Sequence, residues 1–102
     1  MNFDGFDWDE GNLGKCCKHG VTVAQIEAVF ANDPLVLADS GHSDVEARFH
    51  AIGTSGAVRP VFLVFTFRVV EGARLLRPIS ARYMHAQEIA FYEKEISGSE
   101  ER

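Results

Sequence analysis

The ten residues Val61–Val70 constrain the fold of this chain more than any other segment. Nearly all of them are apolar, and most are β-branched or aromatic, which is typical of a central strand covered on both faces. The run falls well short of the roughly 20 residues that a membrane-spanning helix needs, so no such helix is predicted. Glu71 and Gly72 then indicate a hairpin turn, after which residues 74–82 are expected to return as an antiparallel neighbour.

Shorter segments with a period of two surround this run. They predict an edge strand over residues 1–6, a short strand over 35–37 and a half-buried antiparallel strand over 45–52. In the last of these, Glu46, Arg48 and His50 share the face opposite to the apolar side chains. Pro78 has no amide hydrogen to donate, so it is expected at an edge or a bulge.

Helical spacing appears at both ends of the chain. Asp7 is the predicted N-cap of a first helix over residues 8–18, with Glu10 completing a capping box. Thr22 is the predicted N-cap of a second helix, which residues 32–34 end with the sequence Asn-Asp-Pro.

A third helix is predicted over residues 84–96, followed by a frayed tail over 97–102. The predicted fold class is therefore α+β, with two N-terminal helices, an antiparallel β-meander and a C-terminal helix. The length suits a single domain, which we expect to span residues 1–96.

The charge of the chain is unevenly distributed. The net charge is −5 at pH 7, yet residues 46–85 contain six arginines, no lysine and two glutamates. Arginine presents a planar fork that binds phosphate or carboxylate through two hydrogen bonds. These arginines therefore either bind phosphate or solubilise an exposed sheet face and pair with the acidic helices.

Arg68 stands within the apolar run, where an unpaired charge is costly. We expect it either to close a buried ion pair, for which Glu46 is the candidate, or to open into a cleft. Ser80 and Arg82 share one face of the returning strand. A two-residue hairpin loop places them on the face of the sheet opposite to that of Arg68. A three-residue loop that includes Ala73 places all three on the same face.

Other chemistries are not indicated. The sequence contains no GxxxxGK phosphate loop and no dinucleotide fingerprint after a strand. Cys16, Cys17 and His19 are too closely spaced for a structural zinc site, so the cysteines are interpreted as one buried and one exposed reduced thiol. No metal site and no cofactor are predicted. The N-terminus has no secretory signal, which indicates a cytoplasmic protein without a membrane partner.

A set of spaced motifs extends from residue 6 to residue 92. It comprises Phe6-Asp7-Trp8-Asp9, Asn12, Lys15, Lys18-His19-Gly20-Val21, Ala28-Val29-Phe30, Asp33-Pro34, His42-Ser43, Glu46-x-Arg48, Ile52-Gly53, Thr66-x-Arg68, Ile79-Ser80-Ala81-Arg82, Glu88 and Tyr92. In combination these motifs resemble the BrnT-type toxins, a family long catalogued as a domain of unknown function.

This resemblance implies a RelE-like fold and a metal-independent endoribonuclease that inhibits translation and growth as the toxin of a type II toxin–antitoxin system. It implies an RNA substrate, neutralisation by a BrnA-like antitoxin, and contact with DNA only indirectly, through that antitoxin. The candidate catalytic residues are Arg68, Arg82, Glu46, His19 and Arg48. The candidate RNA-binding residues are Lys18, Arg77 and Tyr92.

Metal-free RNA cleavage needs a base for the 2′-hydroxyl, cations for the phosphorane and an acid for the leaving 5′-oxygen. Arg68 and Arg82 are expected to hold the scissile phosphate, with Arg48 as a weaker third. Glu46 or His19 is expected to act as the base.

Two alternatives differ from an active toxin. The acidic closing helix and Pro78 depart from the family pattern and favour a catalytically weak or inactive member that acts as an antitoxin-binding or regulatory module. A more distant alternative is a metal- or redox-sensing protein that uses Cys16 and Cys17.

Overall fold

The computed structural model describes residues 1–39, 47–56 and 59–94 in full, and the backbone of residues 95–100. The helices are α1 (Glu10–Cys17), α2 (Val23–Ala31) and α3 (Ala86–Glu100). The strands are β1 (Gly5–Phe6), β2 (Leu35–Asp39), β3 (Arg48–Gly53), β4 (Val61–Val70) and β5 (Ala73–Tyr83). The predicted α+β class is confirmed, and so is the long strand over Val61–Val70.

The strands form one mixed sheet in the order β1-β5-β4-β3-β2. Strands β2 to β5 are antiparallel neighbours, as a meander requires. The expected N-terminal edge strand is present but short, and it lies parallel to β5, with Gly5 opposite Leu75 and Phe6 opposite Leu76. The parallel pair is possible because the chain between β1 and the meander, which includes α1 and α2, is long enough to cross over.

The core lies between one face of the sheet and the two N-terminal helices. Leu63 and Phe65 of β4 are fully buried, and the ring of Phe65 lies 5.0 Å from that of Phe30 in α2. On the opposite face of the same strand, Phe62 and Val64 stay partly exposed. The prediction that both faces of this strand are covered is therefore wrong. We call the side of the sheet that carries Phe62 and Val64 the open face.

The first helix begins later than predicted. Its N-cap is Asp9, whose carboxylate accepts hydrogen bonds from the amides of Gly11 and Asn12, at 2.8 and 3.3 Å. The prediction of Asp7 as N-cap is wrong. The amide of Asp7 donates to the carbonyl of Leu76 instead, which prolongs the pairing of β1 and keeps this residue in extended chain.

Asn12 attaches α1 to β5. Its side chain is buried, and its amide nitrogen donates to the carbonyls of Asp7 at 2.9 Å and Pro78 at 2.8 Å. Its amide oxygen accepts from the backbone of Asp9 at 2.8 Å. Because a buried amide must find partners for its polar atoms, this set of bonds determines where α1 lies against the strand.

The hairpin between β4 and β5 has the two-residue loop. Glu71 and Gly72 have φ angles of 51° and 83°, the left-handed conformation that the tight hairpin turns require. With an unbroken ladder, this loop would place Arg82 on the face opposite to Arg68.

A β-bulge beside Pro78 reverses that outcome. Val64 pairs with Ser80, although an unbroken ladder would pair it with Ile79. The alternation of β5 shifts by one residue, so Ser80 and Arg82 lie on the open face. Pro78 therefore lies at a bulge, one of its two predicted positions. The bulge puts Arg68, Ser80 and Arg82 on one face, which was the arrangement expected of a three-residue loop.

Candidate functional site

Two adjoining cavities lie where the end of α1 approaches the last part of β5. The first, of about 350 Å³, is lined by Lys15, Lys18, His19, Ser80, Ala81 and Arg82. The second, of about 290 Å³, is lined by His19, Arg59, Arg82, Tyr83 and His85. His19 and Arg82 line both cavities, and we call the two together the β5 cleft.

The β5 cleft has a basic lining. Two lysines, two arginines and two histidines line it, and none of the lining residues that the structure describes is acidic. Lys18 is the C-cap of α1, where the helix dipole favours a positive charge. The structure thus brings together three of the predicted site residues, Lys18, His19 and Arg82, in a lining that suits a phosphate group.

Arg82 is held in place by the first turn of α3. Its Nη1 and Nη2 atoms donate to the two carboxylate oxygens of Glu88, each at 2.7 Å, and its guanidinium lies 4.9 Å from the ring centre of Phe62. Glu88 also accepts a hydrogen bond from the backbone of His85, at 2.9 Å. The ion pair raises the pKa of Arg82. Nη1 also donates to the carbonyl of Tyr83 at 3.5 Å, and Nε–H and the second Nη2–H are directed to neither Glu88 nor Tyr83.

The hydrogen bonds from Arg82 and the backbone of His85 lower the pKa of Glu88 from 4.5 to about 2. A depressed carboxyl pKa stabilises the folded state above the unfolded value, and that stability is lost as pH falls through the folded value. The melting temperature of the wild type should therefore exceed that of Glu88→Gln above pH 4.5, and the two should converge as pH approaches 2. Thermal unfolding across this range tests the expectation. Glu93→Gln, an exposed change on α3, should show no such convergence, and parallel curves for Glu88→Gln would contradict the pairing.

Arg68 lies apart from Arg82 and does not line the β5 cleft. Both lie on the open face, but Arg68 is six residues along β4 from Phe62, the partner of Arg82, a separation of about 20 Å. The Nη1 atom of Arg68 lies 3.3 Å from a carboxylate oxygen of Asp7, and its side chain is 47% exposed. The structure therefore does not bring the two guanidinium groups together: that of Arg68 faces Asp7, and that of Arg82 faces Glu88. The ion-pair candidate, Glu46, lies outside the described residues.

Arg77 is occupied by the N-terminal segment of the chain. Its side chain is 15% exposed and contacts Asp7 at 3.2 Å and Asp9 at 2.9 and 3.1 Å. The hydrogen bonds from Arg77 lower the pKa of Asp9. This arginine therefore links β5 to the N-cap of α1, and it does not line the β5 cleft.

Because of these contacts, Arg77→Ala is expected to lower the melting temperature by about 5 °C or more while leaving RNA cleavage within about twofold of the wild type. Arg77→Lys should recover only part of the stability, since one ammonium group cannot reproduce the planar fork. Thermal unfolding and cleavage assays on the same preparations check both points. A tenfold loss of cleavage by folded Arg77→Ala would instead support direct contact with RNA.

The remaining predicted residues lie away from the β5 cleft. Arg48 is in β3, opposite Asp39 of the edge strand β2, and Tyr92 is half-buried on α3. Neither belongs to the lining of the two cavities.

Sequence reasoning missed Glu88 as the partner of Arg82, and it missed Lys15, Arg59 and His85 as lining residues. Glu88 follows His85 by three residues, a spacing typical of helix capping that could have indicated its position. Lys15 belongs to the family motifs but had no assigned role, and Arg59 and His85 are exposed side chains outside those motifs. Only the packing of α1 beside β5 brings Lys15 to the cleft with β5.

The interpretation of the two cysteines is confirmed. Cys16 is buried and Cys17 is exposed, and burial raises the pKa of Cys16 to about 11. No group of three or more histidine, cysteine, aspartate or glutamate side chains that could bind a metal occurs among the residues described. Within the same residues, no helix is both long and apolar enough to cross a membrane.

Comparison with models of known protein families gives a match that covers most of the chain. The family model described as "Ribonuclease toxin, BrnT, of type II toxin-antitoxin system" matches residues 8–88 of this chain. This range includes α1, β5 and every residue that lines the β5 cleft. No curated protein matches the sequence.

Proposed function

We propose that this chain, which belongs to the BrnT family of ribonuclease toxins of type II toxin–antitoxin systems, cleaves RNA in the β5 cleft without a metal ion. Arg82 carries the proposal, because its guanidinium is fixed at the junction of two basic cavities that it shares with His19. Fixed cations next to the reacting phosphate are what metal-free phosphodiester cleavage requires.

Arg82 stabilises the charge that develops on the phosphorane oxygens. His19 takes the proton of the RNA 2′-hydroxyl, whose oxygen forms a bond to phosphorus as the bond to the 5′-oxygen breaks. The products are a 2′,3′-cyclic phosphate and a 5′-hydroxyl end. Lys15 and Lys18, which line the first cavity beside His19, attract the flanking backbone.

The proposed partner is a BrnA-like antitoxin that covers the β5 cleft and supplies the contact with DNA. Covering Arg82 removes RNA binding and catalysis together, so one interface is enough to neutralise the toxin. We place the protein in the cytoplasm, where its RNA substrate lies, and we relate its mixed sheet and helices to the RelE-like fold.

A second candidate function is that of an antitoxin-binding or regulatory module, in which the protein is a catalytically weak or inactive member of the family. One observation favours it: both carboxylate oxygens of Glu88 already bind Arg82, which leaves fewer of its N–H donors for a phosphate.

Cleavage of single-stranded RNA by the purified protein in EDTA separates the two functions. The proposal expects cleavage, with 2′,3′-cyclic phosphate at the new ends. Cleavage that EDTA abolishes would contradict metal independence. Intact RNA, with the antitoxin still bound by the same preparation, would establish the regulatory function.

A further inference from the structure

A histidine–aspartate pair lies on the open face, on the side of Phe62 away from β5. His50 of β3 pairs with Val64 of β4, and its Nε2 atom lies 3.1 Å from a carboxylate oxygen of Asp39 in the edge strand β2. The histidine side chain is 30% exposed and the aspartate side chain 13% exposed. The pair is therefore held in one geometry while the imidazole remains within reach of a ligand on the open face.

The ring of Phe62 joins this pair to the proposed site. The imidazole of His50 lies 5.0 Å from the centre of that ring, and the guanidinium of Arg82 lies 4.9 Å from it. The two polar groups are thus within about 10 Å of each other. A phosphodiester bound over the ring of Phe62 would lie between the imidazole of His50 and the guanidinium of Arg82. A cation and a general acid that act on the same scissile bond need such an arrangement.

We propose that His50 is the general acid of the cleavage reaction and that Asp39 is its positioning residue. This inference rests on the proposed ribonuclease function and supplies the acid that His19 and Arg82 leave unassigned. In the protonated imidazole, Nε2 faces the Asp39 carboxylate at 3.1 Å, and Nδ1–H protonates the leaving 5′-oxygen as its bond to phosphorus breaks. His19 gains the proton of the 2′-hydroxyl, so one proton enters the protein and one leaves it.

A purely structural role for the pair is the competing explanation, because a close polar contact between side chains of neighbouring strands also stabilises an edge. The two roles differ in which substrate they affect. A general acid is needed only where the leaving group is a poor one, whereas a loosened edge strand impairs cleavage of every substrate.

The test compares an RNA oligonucleotide with one that carries sulfur in place of the scissile 5′-oxygen. Sulfur leaves without protonation. On the oxygen substrate, His50→Ala and Asp39→Asn should each lower kcat, the former by about 100-fold or more. On the sulfur substrate both should come within a few-fold of the wild type. His19→Ala, which removes the base, should remain slow on both substrates.

Thermal unfolding of every variant ensures that folded proteins are compared, and His50→Gln provides a second variant of similar polarity. An equal loss on both substrates, or no loss on either, would overturn the role of His50. Wild-type protein that cuts neither substrate would refute the ribonuclease function itself, together with this inference.

Discussion

Replacing Arg82 with alanine is expected to reduce the rate of RNA cleavage by about 100- to 1,000-fold, the usual effect of removing one fixed donor from a developing negative charge. Its guanidinium is oriented by two 2.7 Å hydrogen bonds to Glu88, and Arg82 lines both cavities, whereas Arg59, Lys15 and Lys18 each line one of them. Single-turnover cleavage in EDTA, with enzyme in excess over RNA, measures the chemical step directly.

Arg68→Ala is the matched control. It removes the same charge from the same face of the sheet, but about 20 Å along β4, and its rate should stay within about tenfold of the wild type. Arg82→Lys keeps the charge and loses the planar fork, so it should recover only part of the rate. Equal losses in Arg68→Ala and Arg82→Ala would contradict a site centred on the β5 cleft.

The largest effect on stability is expected from Asn12→Asp, which should lower the free energy of unfolding at pH 7 by about 3 kcal/mol or more. The amide nitrogen of Asn12 donates to the carbonyls of Asp7 and Pro78 in a buried position. A carboxylate oxygen in its place would face both carbonyls without a hydrogen to offer them. Urea denaturation of the variant and the wild type gives the difference.

The same substitution at an exposed asparagine separates the stability lost through burial from the stability lost through the added charge. Asn32 donates to the carbonyl of Thr54 at 3.0 Å on the surface, and Asn32→Asp should cost no more than about 1 kcal/mol. The deficit of Asn12→Asp should also shrink at low pH, because the protonated acid regains one donor. Similar losses in both variants would show that the buried bonds of Asn12 are not the cause.

The amino-acid sequence alone determined the features that depend on local periodicity and local hydrogen bonding. Val61–Val70 was identified as a strand because nearly all of its residues are apolar and most are β-branched or aromatic. Glu71 and Gly72 were identified as a turn because glycine accepts a left-handed φ angle. Pro78 was expected at an edge or a bulge because it lacks an amide hydrogen, and it lies at a bulge. The family also followed from spaced motifs, most of which lie within residues 8–88, the range that the family model matches.

Tertiary structure alone decided which charged side chains meet. One extra residue in β5 moves Arg82 to the open face. Pro78 allowed either an edge or a bulge, and only the observed pairing of β4 with β5 shows that the bulge occurs. The choice of partner for Arg68, Arg77 and Arg82 among fifteen acidic residues depends on which segments pack together, because charges pair by distance in space rather than along the chain. The sequence could therefore name the arginines, whereas only packing could separate Arg77, which holds the fold together, from Arg82, which is available for chemistry.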